Sequence, residues 1–217
     1  MESHNFITQK TARFYTIGSA SERVNRLWIC LHGYGELAYY FGRKFRELEA
    51  DSRLIVIPEG LNRFYLEGTE GRVGASWMTK EERLSDIEDQ FRFLEKLAHE
   101  LKPRLAADCK IHVFGFSQGV ATALRWIDKS ALPFSSLICW AGSFPLDIDY
   151  KLQAAKFSSI NFHACFGDDD EYISTENAQK LLEQIQNQGI KVTPHFYKGG
   201  HKIYPELLAA VFKSCTD

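Results

Sequence analysis

The chain has 217 residues, 45% of them apolar and 25% charged, with a formal net charge of -2 at pH 7. This profile suits a single globular domain spanning residues 1–217 and carries no electrostatic footprint for nucleic acid or anionic lipid. No apolar run approaches the ~18 residues of a membrane span, and the start, Met1-Glu2-Ser3-His4-Asn5, lacks the basic and apolar regions of a signal peptide.

Phe14 to Ile17 reads as an N-terminal strand, and Arg26 to Leu31 as an apolar strand ending in His32-Gly33-Tyr34-Gly35. Leu37 to Glu49 is expected to be helical, and Arg53 to Ile57 a strand stopped by Pro58. Residues 58 to 80, interrupted by four glycines, read as irregular. A long helix follows, because Ile87, Phe91, Leu94, Ala98 and Leu101 recur at helical spacing. Ser85-Asp86-Ile87-Glu88 resembles a capping box at its start, and Pro103 marks its end.

Lys110 to Phe114 is the next strand. It runs into Gly115-Phe116-Ser117-Gln118-Gly119 and then into a small-residue helix over residues 120 to 127. Ser136 to Trp140 and Asn161 to Phe166 are apolar strands, with too short a connection between them for a large cap domain. Thr175 to Gln188 is helical and stops at Gly189. Lys191 to Tyr197 is the last strand, and residues 204 to 214 the last helix. Strand and helix alternate, and the inner strands are apolar throughout. The expected fold class is therefore α/β, a mainly parallel sheet covered on both faces. Sites in such sheets form at the carboxyl ends of the strands.

The five cysteines are odd in number and lie mostly in strand-like runs, with no C-x-x-C spacing. They read as free thiols of a reducing compartment, so a cytoplasmic location is expected, with no metal site.

Strand, G-x-S-x-G, helix is the layout of a nucleophile elbow, in which the serine hydroxyl sits at the tip of a sharp turn. Ser117 is the candidate nucleophile, and it needs a base and an orienting acid, in the chain order Ser, acid, His. His163 and His195 lie within strands, whereas His201 lies in a Gly-rich loop that can present an imidazole. The acid belongs on the loop after residue 166, where spacing leaves Asp168, Asp169 and Asp170 open. Asp147 and Asp149, one strand earlier, are weaker options. The backbone N–H groups of Gln118 and Tyr34 are the candidate oxyanion donors. His32 precedes Ser117 and is expected to orient the Tyr34 loop.

The segments LHGYGE (31–36), GFSQG (115–119), GDDDEYI (167–173) and GGHKI (199–203) together resemble the phospholipase/carboxylesterase family of α/β-hydrolases. That family includes bacterial carboxylesterases and acyl-protein thioesterases. The resemblance implies an α/β-hydrolase fold and Asp170 as the acid, and it supports Tyr34 and Gln118 as oxyanion donors. Glu171-Tyr172 stands where the family usually has a Pro or similar turn residue after the acid, and residues 60 to 80 depart from the acyl-protein thioesterases. Ser76-Trp77 resembles a segment that lines the acyl pocket. Tyr39, Phe64, Tyr65, Trp77 and Met78 are the candidate pocket residues. The implied activity is hydrolysis of a small-molecule carboxylic ester through Ser117, Asp170 and His201, with no cofactor. The alternatives are a thioesterase or lysophospholipase acting on longer acyl chains, or a catalytically silent binding protein.

Overall fold

Side-chain alternation along the strands sorts the core into two faces, as a two-residue period requires. In the strand Arg26–Leu31, Leu27, Ile29 and Leu31 enter one apolar cluster, while Trp28 and Cys30 enter the other. The computed structural model describes residues 1–215. Its strands are β1 (Phe14–Ile17), β2 (Arg26–Leu31), β3 (Arg53–Pro58), β4 (Asn62–Tyr65), β5 (Val73–Ser76), β6 (Lys110–Phe116), β7 (Phe134–Trp140), β8 (Asn161–Gly167) and β9 (Thr193–Tyr197). Seven of them form one sheet in the order β1-β3-β2-β6-β7-β8-β9. Only β1 is antiparallel to its neighbour in that sheet.

The helices are α1 (Ala38–Gly42), α2 (Arg83–Leu101), α3 (Gln118–Lys129), α4 (Ala154–Ser158), α5 (Thr175–Asn187) and α6 (Pro205–Ser214). Residues of α2, α3 and α5 cover the largely aliphatic face, where Leu94, Ala98, Val120, Leu124 and Leu182 are buried. Residues of α1 and α6 cover a face rich in aromatics. There Trp28 stacks between Phe212 at 3.8 Å and His112 at 4.7 Å. All the parallel strands point their carboxyl ends the same way, so the loops after β2, β6, β8 and β9 meet along one edge of the sheet.

Several expectations need correction. Residues 58 to 80 are not simply irregular: β4 and β5 form a two-stranded antiparallel hairpin, with Asn62 opposite Ser76 and Tyr65 opposite Val73. The capping box does not form. The α2 helix begins at Arg83, and Glu82 precedes it in the left-handed conformation (φ 49°). The Ser85 hydroxyl donates to the Glu82 carboxylate, and Asp86 accepts from Asn62 and from the Thr79 N–H. Tertiary partners thus outcompete the local cap. The helix expected over 37 to 49 is α1 followed by a tighter 3-10 turn over Arg43–Leu48, which keeps Phe41 and Phe45 together at 5.2 Å. The last strand is shorter than expected, because Ile190 and Val192 pack into the aliphatic face ahead of it.

Candidate active site

Ser117 sits between β6 and α3 with φ 52° and ψ -117°, a strained backbone for a residue with a side chain. Its N–H donates to the Trp140 carbonyl at 2.9 Å, which ties the elbow to the end of β7. Gly119 lets the start of α3 approach β2. A Cβ at this position would lie 2.3 Å from the Leu31 carbonyl oxygen.

His201 Nε2 lies 2.9 Å from Ser117 Oγ, and its Nδ1 lies 2.8 Å from Asp170 Oδ2. A carboxylate only accepts, so Nδ1 carries the proton and Nε2 is left to accept from the serine hydroxyl. Asp170 is almost fully buried, with 1% of its side chain exposed. Its Oδ1 accepts the N–H groups of Tyr172 at 2.8 Å and Ile173 at 3.1 Å, which fixes the carboxylate toward the imidazole. The ring of His201 is flanked by Phe116 at 5.0 Å and Tyr172 at 4.6 Å.

The three aspartates after β8 have different roles. Asp170 meets His201, whereas Asp168 accepts the Gly199 N–H at 2.8 Å and so braces the histidine loop. Asp169 joins that loop through its main chain, donating to the Gly199 carbonyl at 3.1 Å. Beneath the loop, the Trp140 indole N–H donates to the Lys202 carbonyl and to the Tyr197 hydroxyl, each at 3.1 Å. The weaker acid options are engaged elsewhere. Asp147 is gripped by Arg125 at 2.7 Å and by Arg83 at 3.0 Å, and the Arg125 hydrogen bonds hold its carboxyl at about 2. Asp149 accepts the Leu152 N–H.

The loop after β2 is pinned on both sides of Tyr34. The Gly33 N–H donates to Glu36 Oε2 at 2.9 Å, the Gly35 N–H to the Ala75 carbonyl at 2.9 Å, and the Glu36 N–H to the Gly33 carbonyl at 3.3 Å. The Tyr34 N–H between them has no protein acceptor among the described residues. Gly74 lets the hairpin come close, since a Cβ there would lie 2.5 Å from the Gly35 oxygen. His32 is buried, accepts the Gly60 N–H on Nε2 at 2.9 Å, and bonds the Gly33 carbonyl through Nδ1 at 2.7 Å. Burial pushes its pKa down, so it orients this loop as a neutral ring.

The expected pocket residues divide. Phe64 pairs with Tyr34 at 5.1 Å, and Tyr65 is half exposed on the same hairpin. Trp77 lies beneath the loop that carries Tyr34. It is fully buried, packs on His32 at 4.9 Å, and donates its indole N–H to the His32 carbonyl. With Met78 it borders a narrow cleft between α2 and α3. Tyr39 packs on Tyr15 and Tyr40 beside the edge strand. The sequence expectations do not include the flanking rings of Phe116 and Tyr172 or the carboxamide of Gln118. Phe116 was findable as the second residue of the elbow. The carboxamide's partners, in the 76–78 segment, are about 40 residues away.

Among the described residues, no helix is long and apolar enough to cross a membrane, and no group of three or more His, Cys, Asp or Glu side chains is placed to hold a metal ion.

Comparison with curated proteins gives no match at a significant level. Solved structures resemble the chain over nearly its whole length. The acyl-protein thioesterase 2 of Zea mays aligns with a TM-score of 0.73 at 20% identity, covering 95% of this chain and 98% of that one. The esterase PE8 aligns with a TM-score of 0.70 at 20% identity, covering 95% and 100%. A phospholipase/carboxylesterase from Dyadobacter fermentans DSM 18053 aligns with a TM-score of 0.66 at 17% identity, covering 98% and 100%. At such identities the likeness establishes the fold, that of the α/β-hydrolases. The phospholipase/carboxylesterase family model matches residues 13–216, and by that match the chain belongs to the phospholipase/carboxylesterase family.

Proposed function

We propose that the protein is a serine hydrolase of carboxylic esters that works through an acyl-enzyme. The observation that carries this reading is the hydrogen-bonded run from Ser117 Oγ through His201 to Asp170, at 2.9 and 2.8 Å, at a strained elbow. Ser117 Oγ attacks the ester carbonyl while His201 Nε2 takes its proton. Asp170 holds the imidazole and stabilises the imidazolium that forms. The N–H groups of Tyr34 and Gln118 receive the developing oxyanion. The tetrahedral intermediate collapses, and His201 returns the proton to the departing alcohol. Water then attacks the acyl-serine with His201 again as base, releasing the acid. None of these steps needs a cofactor.

A second reading is hydrolysis of longer acyl chains or thioesters. It is favoured by the apolar side chains exposed near the oxyanion loop, namely Tyr34, Tyr65 and Leu66. The likeness to an acyl-protein thioesterase points the same way. The five free thiols, four of them buried, suit a reducing compartment such as the cytoplasm.

The test is p-nitrophenyl ester hydrolysis by the wild type and Ser117→Ala, with a fluorophosphonate probe to label the serine. The expected loss in kcat is roughly 10^6-fold. A variant that keeps the wild-type rate would overturn the mechanism, and failure of the probe to label Ser117 would favour a silent fold. A series of esters and thioesters of rising acyl length separates the two substrate readings.

A further inference from the structure

The Gln118 side chain is unusual for the first residue of a helix, because all its hydrogen bonds run to a distant segment. Its Oε1 accepts the Trp77 N–H at 3.0 Å and lies 3.2 Å from Ser76 Oγ. Its Nε2 donates to the Met78 carbonyl at 2.7 Å. The carboxamide therefore pairs with residues 76–78 much as a peptide group would. The same short segment holds the other side of the site. The Trp77 indole N–H donates to the His32 carbonyl at 2.8 Å. One residue before Ser76, Ala75 accepts the Gly35 N–H at 2.9 Å and donates to the Glu36 carbonyl at 3.2 Å.

Residues 75–78 thus form a bridge. One end grips the backbone on both sides of Tyr34, and the other grips residue 118. The N–H groups of Tyr34 and Gln118 come from different loops, and no hydrogen bond joins those loops directly among the described residues. Their separation must suit an oxyanion to within a fraction of an ångström to be useful.

We propose that the Gln118 carboxamide is a positioning residue that sets the spacing of the oxyanion donors through the 75–78 segment. This rests on the reading of Ser117, Tyr34 and Gln118 given above. The Gln118 carboxamide acts through its bonds to residues 76–78. It locks the first N–H of α3 against a hairpin that also locks the Tyr34 loop. The role is electrostatic preorganisation, so it acts on the transition state more than on bound substrate.

Gln118→Met keeps the volume and removes every hydrogen bond of the carboxamide. It is expected to lower kcat for a p-nitrophenyl ester by about 10- to 100-fold, with KM nearly unchanged. Binding of a trifluoromethyl ketone, whose hemiketal oxygen occupies the oxyanion position, weakens by a similar factor. Trp77→Phe loosens the same bridge at its far end by removing the indole N–H, and the double variant is expected to lose less than the product of the two single effects. The inference is overturned if Gln118→Met keeps wild-type kcat. It is also overturned if KM rises alone, if trifluoromethyl ketone binding is unchanged, or if the two substitutions multiply independently. Trp77→Phe tests the bridge by itself should Gln118→Met fail to fold, because full kcat there sinks the proposal. Ser117→Ala in the same assay separates the two levels. If it is inactive while Gln118→Met is normal, only this inference fails. If it is active, the triad reading fails first.

Discussion

The strands β8 and β9 each carry a histidine, and their loops carry a third, yet the histidines behave differently. Within the sheet, His163 Nδ1 meets His195 Nε2 at 2.9 Å, and the rings stack at 5.2 Å. At the carboxyl ends of the same strands, His201 Nδ1 meets Asp170 Oδ2 at 2.8 Å. Both contacts bridge the same pair of chain segments. The inner one joins two imidazoles. Burial, with His195 beside it, pushes His163 down to about 4, and burial lowers His195 as well. Both rings are neutral at pH 7, one donating to the other. The outer contact gives the imidazole a carboxylate, which fixes its tautomer, and leaves Nε2 facing a hydroxyl. What sets His201 apart, and suits it to the proposed role of base, is the partner on Nδ1 and the group at Nε2. Position on the strand alone does not decide it.

The sharpest way to break this contrast is to take the carboxylate from His201. Asp170→Asn is expected to lower kcat by about 10^3- to 10^4-fold, because the amide favours the wrong tautomer while leaving the geometry in place. Asp168→Ala removes only the brace to the Gly199 N–H, and its loss should be under about tenfold, a displacement effect. Ester hydrolysis by the two purified variants ranks them, and a larger loss at Asp168 would reverse the assignment of the acid.

The smallest expected effect is on the inner pair. His163→Asn should leave kcat close to that of the wild type and change the dependence of stability on pH. The folded-state pKa of His163, about 4, lies below its ordinary 6.5, so between those values the unfolded chain binds more protons. Wild-type stability therefore falls as pH drops from about 6.5 toward 4, and the variant should lose less over that window. Urea unfolding at pH 7 and pH 5 measures the difference. Equal losses in both proteins would mean that His163 is not buried as a neutral ring.

The extent to which the molecule was legible from its sequence varies by element. The strands β2, β6, β7 and β8 were readable because each is a continuous apolar run, and such runs are what a doubly covered parallel sheet requires. Ser117 stands out as a candidate because an elbow needs glycines at fixed offsets within five residues. His201 stands out as its candidate partner because chain order leaves it as the loop histidine. Spacing left Asp168, Asp169 and Asp170 equivalent, and the resemblance to a family favoured Asp170. The structure separates them by which carboxylate faces His201 and which faces Gly199.

The hairpin of β4 and β5 was hidden because its strands are four residues each, with four glycines scattered from residue 60 to 74. Beyond its own ladder it is tied to Gly35 and Glu36, and the residue after it to Gln118, which no local pattern links to it. Trp77 shows the same limit. An aromatic residue near a predicted site reads equally well as a pocket wall or as a buried brace, and only packing against His32 decides for the brace. The candidates for nucleophile and base are marked by short motifs, because turn geometry and chain order are constraints that a sequence carries. The carboxylate that meets His201, the seating of the Tyr34 loop and the packing of each aromatic are set by contacts between distant segments, which exist only once the sheet has brought its loops to one edge.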